Sequence, residues 1–314
     1  MRIWLMAARP RTLPASIAPV LVGSAAAWYA IDAARFVSSG TVTGAPAWAS
    51  LYAGAEFSWP AFVAALIGAI FIQIGTNLAN DYSDAKRGAD NAERLGPVRV
   101  TAAGLVAPRR VLAATWVAFA IAVAAGLYLV AVTGPEILLV GVVSIAAGVL
   151  YTGGPRPYGY AGMGELFVFV FFGLVAVNGS YYVQLERLDW LPFLLSILVG
   201  LLSTAVLVVN NLRDIETDRR AGKLTLAVRL GRERTRAFFV ALVAGALVLL
   251  PLALVLGDGP GAGVLAWLSA PLALKPTRAV LTRTDGPSLN AALAGTGTLL
   301  AAFSVLLSVG LLMG

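Results

Sequence analysis

Two stretches of this chain gather oxygen-bearing side chains at helical spacing. Thr76 to Asp90 reads T-N-L-A-N-D-Y-S-D-A-K-R-G-A-D, and Val209 to Lys223 reads V-N-N-L-R-D-I-E-T-D-R-R-A-G-K. Asn77, Asp81 and Asp84 fall at i, i+4 and i+7, with Asn80 four before Asp84; Asn210, Asp214 and Asp218 are spaced by four and four. Each set therefore lines one helix face as a column of amides and carboxylates. Asn80-Asp81-x-x-Asp84 matches Asn210-Asn211-x-x-Asp214 at a constant offset, the mark of a weak internal repeat whose two columns would face each other across a central cavity. Facing carboxylates repel unless a cation sits between them. The chain has no cysteine and no histidine, so a metal there takes oxygen ligands, which favours Mg²⁺, Mn²⁺ or Ca²⁺, with Mg²⁺ the natural candidate. The candidate metal ligands are Asn77, Asn80, Asp81, Asp84, Asp90, Asp214 and Asp218. Lys86 and Arg87 lie between the acids of the first stretch, and Arg219, Arg220 and Lys223 follow those of the second, where they could hold phosphate oxygens.

The elements that position these columns are membrane helices. Of the 314 residues, 59% are hydrophobic and only 12% charged, with a mean hydropathy of +0.83. That composition belongs to an all-α polytopic membrane protein. Apolar runs predict about nine spans, near 13–32, 59–80, 110–131, 136–152, 163–184, 191–211, 237–256, 262–280 and 289–312, forming one integral-membrane domain over residues 1–314. Of the 23 Lys and Arg, 21 fall in alternate connections, the exceptions being Arg35 and Arg187. Positive residues mark cytoplasmic loops, which puts the N-terminus and both acidic stretches inside and the C-terminus outside. The net charge of +7 is thus a topology signal rather than a nucleic-acid surface. Abundant Ala and Gly, with twenty arginines against three lysines, point to a GC-rich bacterial genome and a bacterial cell membrane. A diphosphate bound through a metal at the mouth of an apolar cavity fits a polyprenyl diphosphate.

At these residues the chain resembles the UbiA superfamily of intramembrane aromatic prenyltransferases, whose two acidic motifs follow the second and sixth helices. The first reads Asn80-Asp81-Tyr82-Ser83-Asp84, with Gly88 at the family's last aspartate and Asp90 two residues on; the second is Asp214-Ile-Glu-Thr-Asp218, followed by Gly222-Lys223. Ala8-Arg-Pro-Arg-Thr-Leu-Pro14, Ser83 to Asp90 and Tyr151 to Tyr160 resemble the branch acting on 1,4-dihydroxy-2-naphthoate in menaquinone synthesis. The resemblance implies helices around a cavity open sideways to lipid. It also implies transfer of a polyprenyl group to the naphthoate with loss of diphosphate and CO₂. Asp81, Asp84, Asp214, Asp218 and Lys223 would be catalytic. Arg11, Lys86, Arg87, Tyr151, Arg156 and Arg219 would hold substrate, Arg11 through the naphthoate carboxylate.

Glu165, at the start of the fifth span, is read either as a helix N-terminal charge or as a catalytic group. Gln73 and Asn178 read as interhelical hydrogen-bond partners. Two rival functions remain open: prenyl transfer to another acceptor, and cation-coupled transport. The second conflicts with carboxylates at one membrane face rather than at the midplane.

Overall fold

The computed structural model describes residues 2–38, 47–88, 96 and 99–314. Among these residues the regular structure is entirely helical. A short helix, α1 (Arg2–Ala8), precedes α2 (Pro14–Ser38), α3 (Trp59–Lys86), α4 (Pro108–Thr133), α5 (Glu136–Leu150), α6 (Gly164–Leu185) and α7 (Trp190–Arg213). Then come α8 (Ile215–Arg220), α9 (Leu226–Val248), α10 (Leu250–Leu256), a 3₁₀ run (Gly261–Ala273), α11 (Leu274–Thr282) and α12 (Gly286–Leu312).

Each expected span falls on helical backbone, but the count of nine is not reproduced. Among the described residues six helices are long and apolar enough to cross a membrane. A seventh is counted only if α9 and α10, bent by 43°, act as one. Helix α5 has only 15 residues, short of the ~20 that span a bilayer. The eighth expected span breaks into the 3₁₀ run and α11. Pro271 lacks the N–H that an α-helix needs there, and Gly261 and Gly263 loosen its start.

The core is densest around α7, which buries residues along most of its length against α6, α9 and α12. Helix α2 packs on α6 and α12 through small residues, Ala25 to Ala27, Ala30 and Ala34. Small side chains let membrane helices approach closely enough for dispersion to hold them. At Gly23 a methyl group would stand 2.1 Å from the Val177 carbonyl oxygen. Helix α6 is not uniform: Phe169–Val175 winds as a π-helix, and Gly173 packs on Gly200 of α7. A π segment shifts the register of the side chains after it and often marks a functional region. Helix α5 packs on α3 and α4 and scarcely meets α6, leaving a seam on that side.

Replacing Gly23 by Ala forces α2 away from α6 and should cost about 1–3 kcal/mol, the usual penalty of overpacking. Gly261, with open space where its Cβ would stand, is the control. Thermal melting in detergent checks this: Gly23→Ala melts earlier and Gly261→Ala melts as wild type.

Candidate active site

Helices α3 and α7 carry the two acidic columns to the wall of one cavity of about 450 Å³. On α3 its lining runs from Ala65 to Asp84, roughly 28 Å at 1.5 Å per residue. The deep part is apolar, walled by α4, α5 and the π segment of α6, with Phe171 and Phe172 among its residues. The polar end holds Asn77, Asn80, Asp84, Asn210, Asn211, Asp214, Asp218 and Lys223.

Offsets of 130 and 134 residues, one helical turn apart, both place matched residues of the two columns on the cavity wall. At the offset of 130, Asn80 and Asn210 both accept through Oδ1, from Thr152 and Arg213, and Asp84 and Asp214 each bind an arginine.

Asp84 is the most heavily engaged carboxylate. It is 1% exposed. Its Oδ1 accepts from the Tyr160 hydroxyl at 2.8 Å and lies 3.2 Å from Lys223 Nζ; its Oδ2 accepts from Arg99 Nη2 at 3.1 Å. Lys223 reaches this point because of a helix stop. Gly222, at φ +72°, closes α8 with its N–H on the Arg219 carbonyl, and the Lys223 N–H reaches back to the Asp218 carbonyl. That paired turn folds the chain towards α3. The Lys223 ammonium also stands 4.7 Å from the centre of the Tyr160 ring.

Asp214 is clasped by its neighbour. Arg213 donates to both of its oxygens, at 2.8 and 2.6 Å, and to Asn210 Oδ1 and Asn290 Oδ1. Asp84 and Asp214 thus carry cations of their own, and repulsion between the columns is relieved by the protein itself.

Asp81 stands apart from the cavity lining. It is 2% exposed and accepts from the backbone N–H groups of Val100 and Thr101, at 3.1 and 3.0 Å. It anchors the segment that carries Arg99 to Asp84. Asp90 lies outside the described residues. Tyr151 lines the cavity. Arg11, Lys86, Arg156 and Arg219 are exposed and off the cavity, Arg219 pairing with Glu216 at 3.3 Å. Arg87 is exposed too, and donates to the Gly154 carbonyl beside the Tyr160 ring. Gln73 and Asn77 tie the chain before α2 to α3, through Thr12 Oγ1 and the Ala8 carbonyl. Asn178 donates within its own helix, to Leu174.

Arg9, Arg99, Arg213, Tyr160 and Thr152 had not been singled out from the sequence. Arg9, whose backbone is left-handed at φ +53°, lines the cavity, and Arg11 does not. Thr152 donates to Asn80 Oδ1 at 2.8 Å. The usable signal was proximity: Arg213 adjoins Asp214, and Tyr160 and Thr152 belong to the Tyr151–Tyr160 motif.

A helical membrane protein with paired acidic columns at one end of a deep apolar cavity defines a class, enzymes or carriers that take amphiphiles by a polar head. Residues 40–300 match the UbiA prenyltransferase family, and the chain belongs to it. It is 43% identical over 311 residues to a 1,4-dihydroxy-2-naphthoate octaprenyltransferase of Mycobacterium tuberculosis, covering 99% of this chain and 97% of that one. It is 38% identical over 288 residues to the Escherichia coli protein of the same name, covering 90% and 86%. Among solved structures it shares the fold of a UbiA homolog from Archaeoglobus fulgidus bound to DMAPP and Mg²⁺, with a TM-score of 0.63, 17% identity and 99% of each chain covered.

Asp81→Ala leaves two buried N–H groups without an acceptor, at about 1–3 kcal/mol each. We expect it to lower the melting temperature while retaining more activity per folded molecule than Asp84→Ala. Melting curves and activity normalised to folded protein decide this; an Asp81→Ala protein as stable as wild type contradicts the anchoring role.

Proposed function

We propose that this protein transfers a polyprenyl group from a polyprenyl diphosphate to 1,4-dihydroxy-2-naphthoate, releasing diphosphate and CO₂ and giving a demethylmenaquinol. The observation that carries this reading is the cavity: charged and amide groups from α3 and α7 meet at one end, and a long apolar space opens behind them. That shape takes a phosphorylated head and an isoprenoid tail together. The acceptor is supported by full-length relatives that bear the naphthoate enzyme's name.

The residues at the polar end fit a hard divalent cation, since Asn80, Asp84, Asp214 and Asp218 offer only oxygen donors. Among the described residues no three acidic groups stand close enough to cage an ion alone. That agrees with Mg²⁺, or Mn²⁺ in its place, shared with substrate phosphate oxygens, as Mg²⁺ commonly is. Such an ion would neutralise charge on the departing diphosphate.

The chain's own groups do the rest. Lys223 and Arg99, held at Asp84, are placed to turn to phosphate oxygens when the head group enters. They would stabilise the charge that grows there as the allylic C–O bond breaks. Tyr151 and Phe167 present ring surface to the cavity below, where the carbon chain gains positive character. The naphthoate ring supplies the electron pair for the new C–C bond, and the electrons of the lost carboxylate restore its aromaticity. The apolar depth excludes water, which would otherwise capture the allylic cation. As a multi-pass protein of a bacterial cell membrane, the chain would hold this site at the cytoplasmic face, with the C-terminus outside. The seam beside α5 would let the tail reach lipid.

The test is an assay of purified protein with a polyprenyl diphosphate and Mg²⁺, offering labelled naphthoate or 4-hydroxybenzoate. We expect a lipid-soluble product from the naphthoate alone, with one CO₂ per prenyl group. Activity should vanish with EDTA and fall at least about 100-fold in Asp84→Asn and Asp218→Asn. Product from the hydroxybenzoate instead overturns the acceptor assignment; metal-independent turnover overturns the site.

A further inference from the structure

Glu165 is a buried carboxylate that the account above leaves idle. It opens α6, is 4% exposed, and its Oε1 accepts from Asn211 Nδ2 at 2.8 Å; Oε2 is buried with no hydrogen-bond partner. Asn211 is equally buried and lines the cavity.

Asn77 on α3, the other amide at this depth of the cavity, is held in a comparable way: its Nδ2 donates to the Ala8 carbonyl at 3.1 Å and to Thr12 Oγ1 at 3.2 Å. Thr12 precedes α2 and Glu165 opens α6, so each asparagine is pinned from the entry of the long helix before its own. An amide whose nitrogen is engaged at the rear presents its carbonyl oxygen forward. The groups one turn nearer the mouth have their oxygens engaged instead: Asn80 Oδ1 accepts from Thr152, and Asp214 is clasped by Arg213. Asn77 and Asn211 also sit one turn deeper than Asn80 and Asp214, roughly 4.5 Å further into the cavity. If the diphosphate lies at the carboxylates, the first prenyl carbon lies at the level of these amides.

We propose that Glu165 is a positioning residue for the transfer step: it fixes the Asn211 amide so that its carbonyl oxygen, with that of Asn77, faces the allylic carbon as positive charge develops there. A pair of fixed dipoles aimed at a charge that exists only in the transition state acts on kcat and leaves ground-state binding alone. The proposal rests on the prenyl-transfer reading of the site, which wild-type turnover in the same assay tests separately.

The experiment compares Glu165→Ala, Glu165→Gln, Asn211→Ala and the double Glu165→Ala/Asn211→Ala in detergent. It measures kcat, both KM values, Mn²⁺ affinity by electron paramagnetic resonance, and melting temperature. Loss of alignment should lower kcat of Glu165→Ala about 100-fold. Both KM values and the Mn²⁺ affinity should stay near wild type. Glu165→Gln, whose amide oxygen can accept the same hydrogen bond, should stay within about tenfold. The double variant should be no worse than Asn211→Ala, because residues acting through one another are not additive. Additive losses overturn the proposal, as does a Gln variant as impaired as Ala, which would assign Glu165 a proton-transfer or charge role. Weakened Mn²⁺ binding in Glu165→Ala also overturns it, since Asn211 would then serve the metal. A uniform fall in melting temperature with kcat per folded molecule unchanged leaves only a structural role and overturns it too.

Discussion

Asp84 is a carboxylate at the end of an apolar cavity, and burying it demands partners. An unpaired charge in such a place is costly, and a pair is tolerated only when its remaining hydrogen bonds are met. Three separate segments answer: Arg99 before α4, Tyr160 before α6 and Lys223 after α8. Each is held by its own device. Asp81 grips the backbone beside Arg99, and the Gly222 turn aims Lys223. Three loops on one side of the bundle are thereby drawn onto α3, and the polar end of the cavity is assembled by the charge it must satisfy.

The same balance shapes how substrate would be taken. With Asp84 paired to Arg99 and Lys223, and Asp214 clasped by Arg213, the carboxylates do not stand ready as an open cage. A metal accompanied by a diphosphate changes the exchange, because phosphate oxygens offer the displaced cations new partners. The site is therefore suited to a metal–diphosphate unit more than to either ion alone. Below it the lining passes from charged groups to amides at Asn77 and Asn211 and, a turn deeper, Gln73, before it becomes mainly apolar.

Much of this was legible in the residues. An all-α membrane protein, a cavity with an acidic end and the family resemblance all follow from apolar runs, from Asn and Asp at helical spacing, and from the absence of histidine and cysteine. What was misread has physical causes. Arg11 was chosen over Arg9, yet Arg9 lines the cavity and Arg11 is exposed; charge and spacing are alike for the two, so sequence alone does not tell them apart. Arg99 was passed over because it stands 15 residues beyond Asp84, where no periodicity connects them. The count of nine spans treats each apolar run as one membrane-length helix, whereas among the described residues α5 has 15 residues and the run around Pro271 is divided between 3₁₀ and α-helix.

The central claim is that α3 and α7 jointly hold a metal–diphosphate unit at the cavity mouth. Mn²⁺ titration of the purified protein, followed by electron paramagnetic resonance with and without a non-hydrolysable prenyl diphosphate analogue, tests it most directly. The account predicts weak binding of Mn²⁺ alone, much tighter binding with the analogue, and loss of that gain in either Asp84→Asn or Asp218→Asn. Equal affinity with and without the analogue, or a gain that survives the loss of either column, would contradict it.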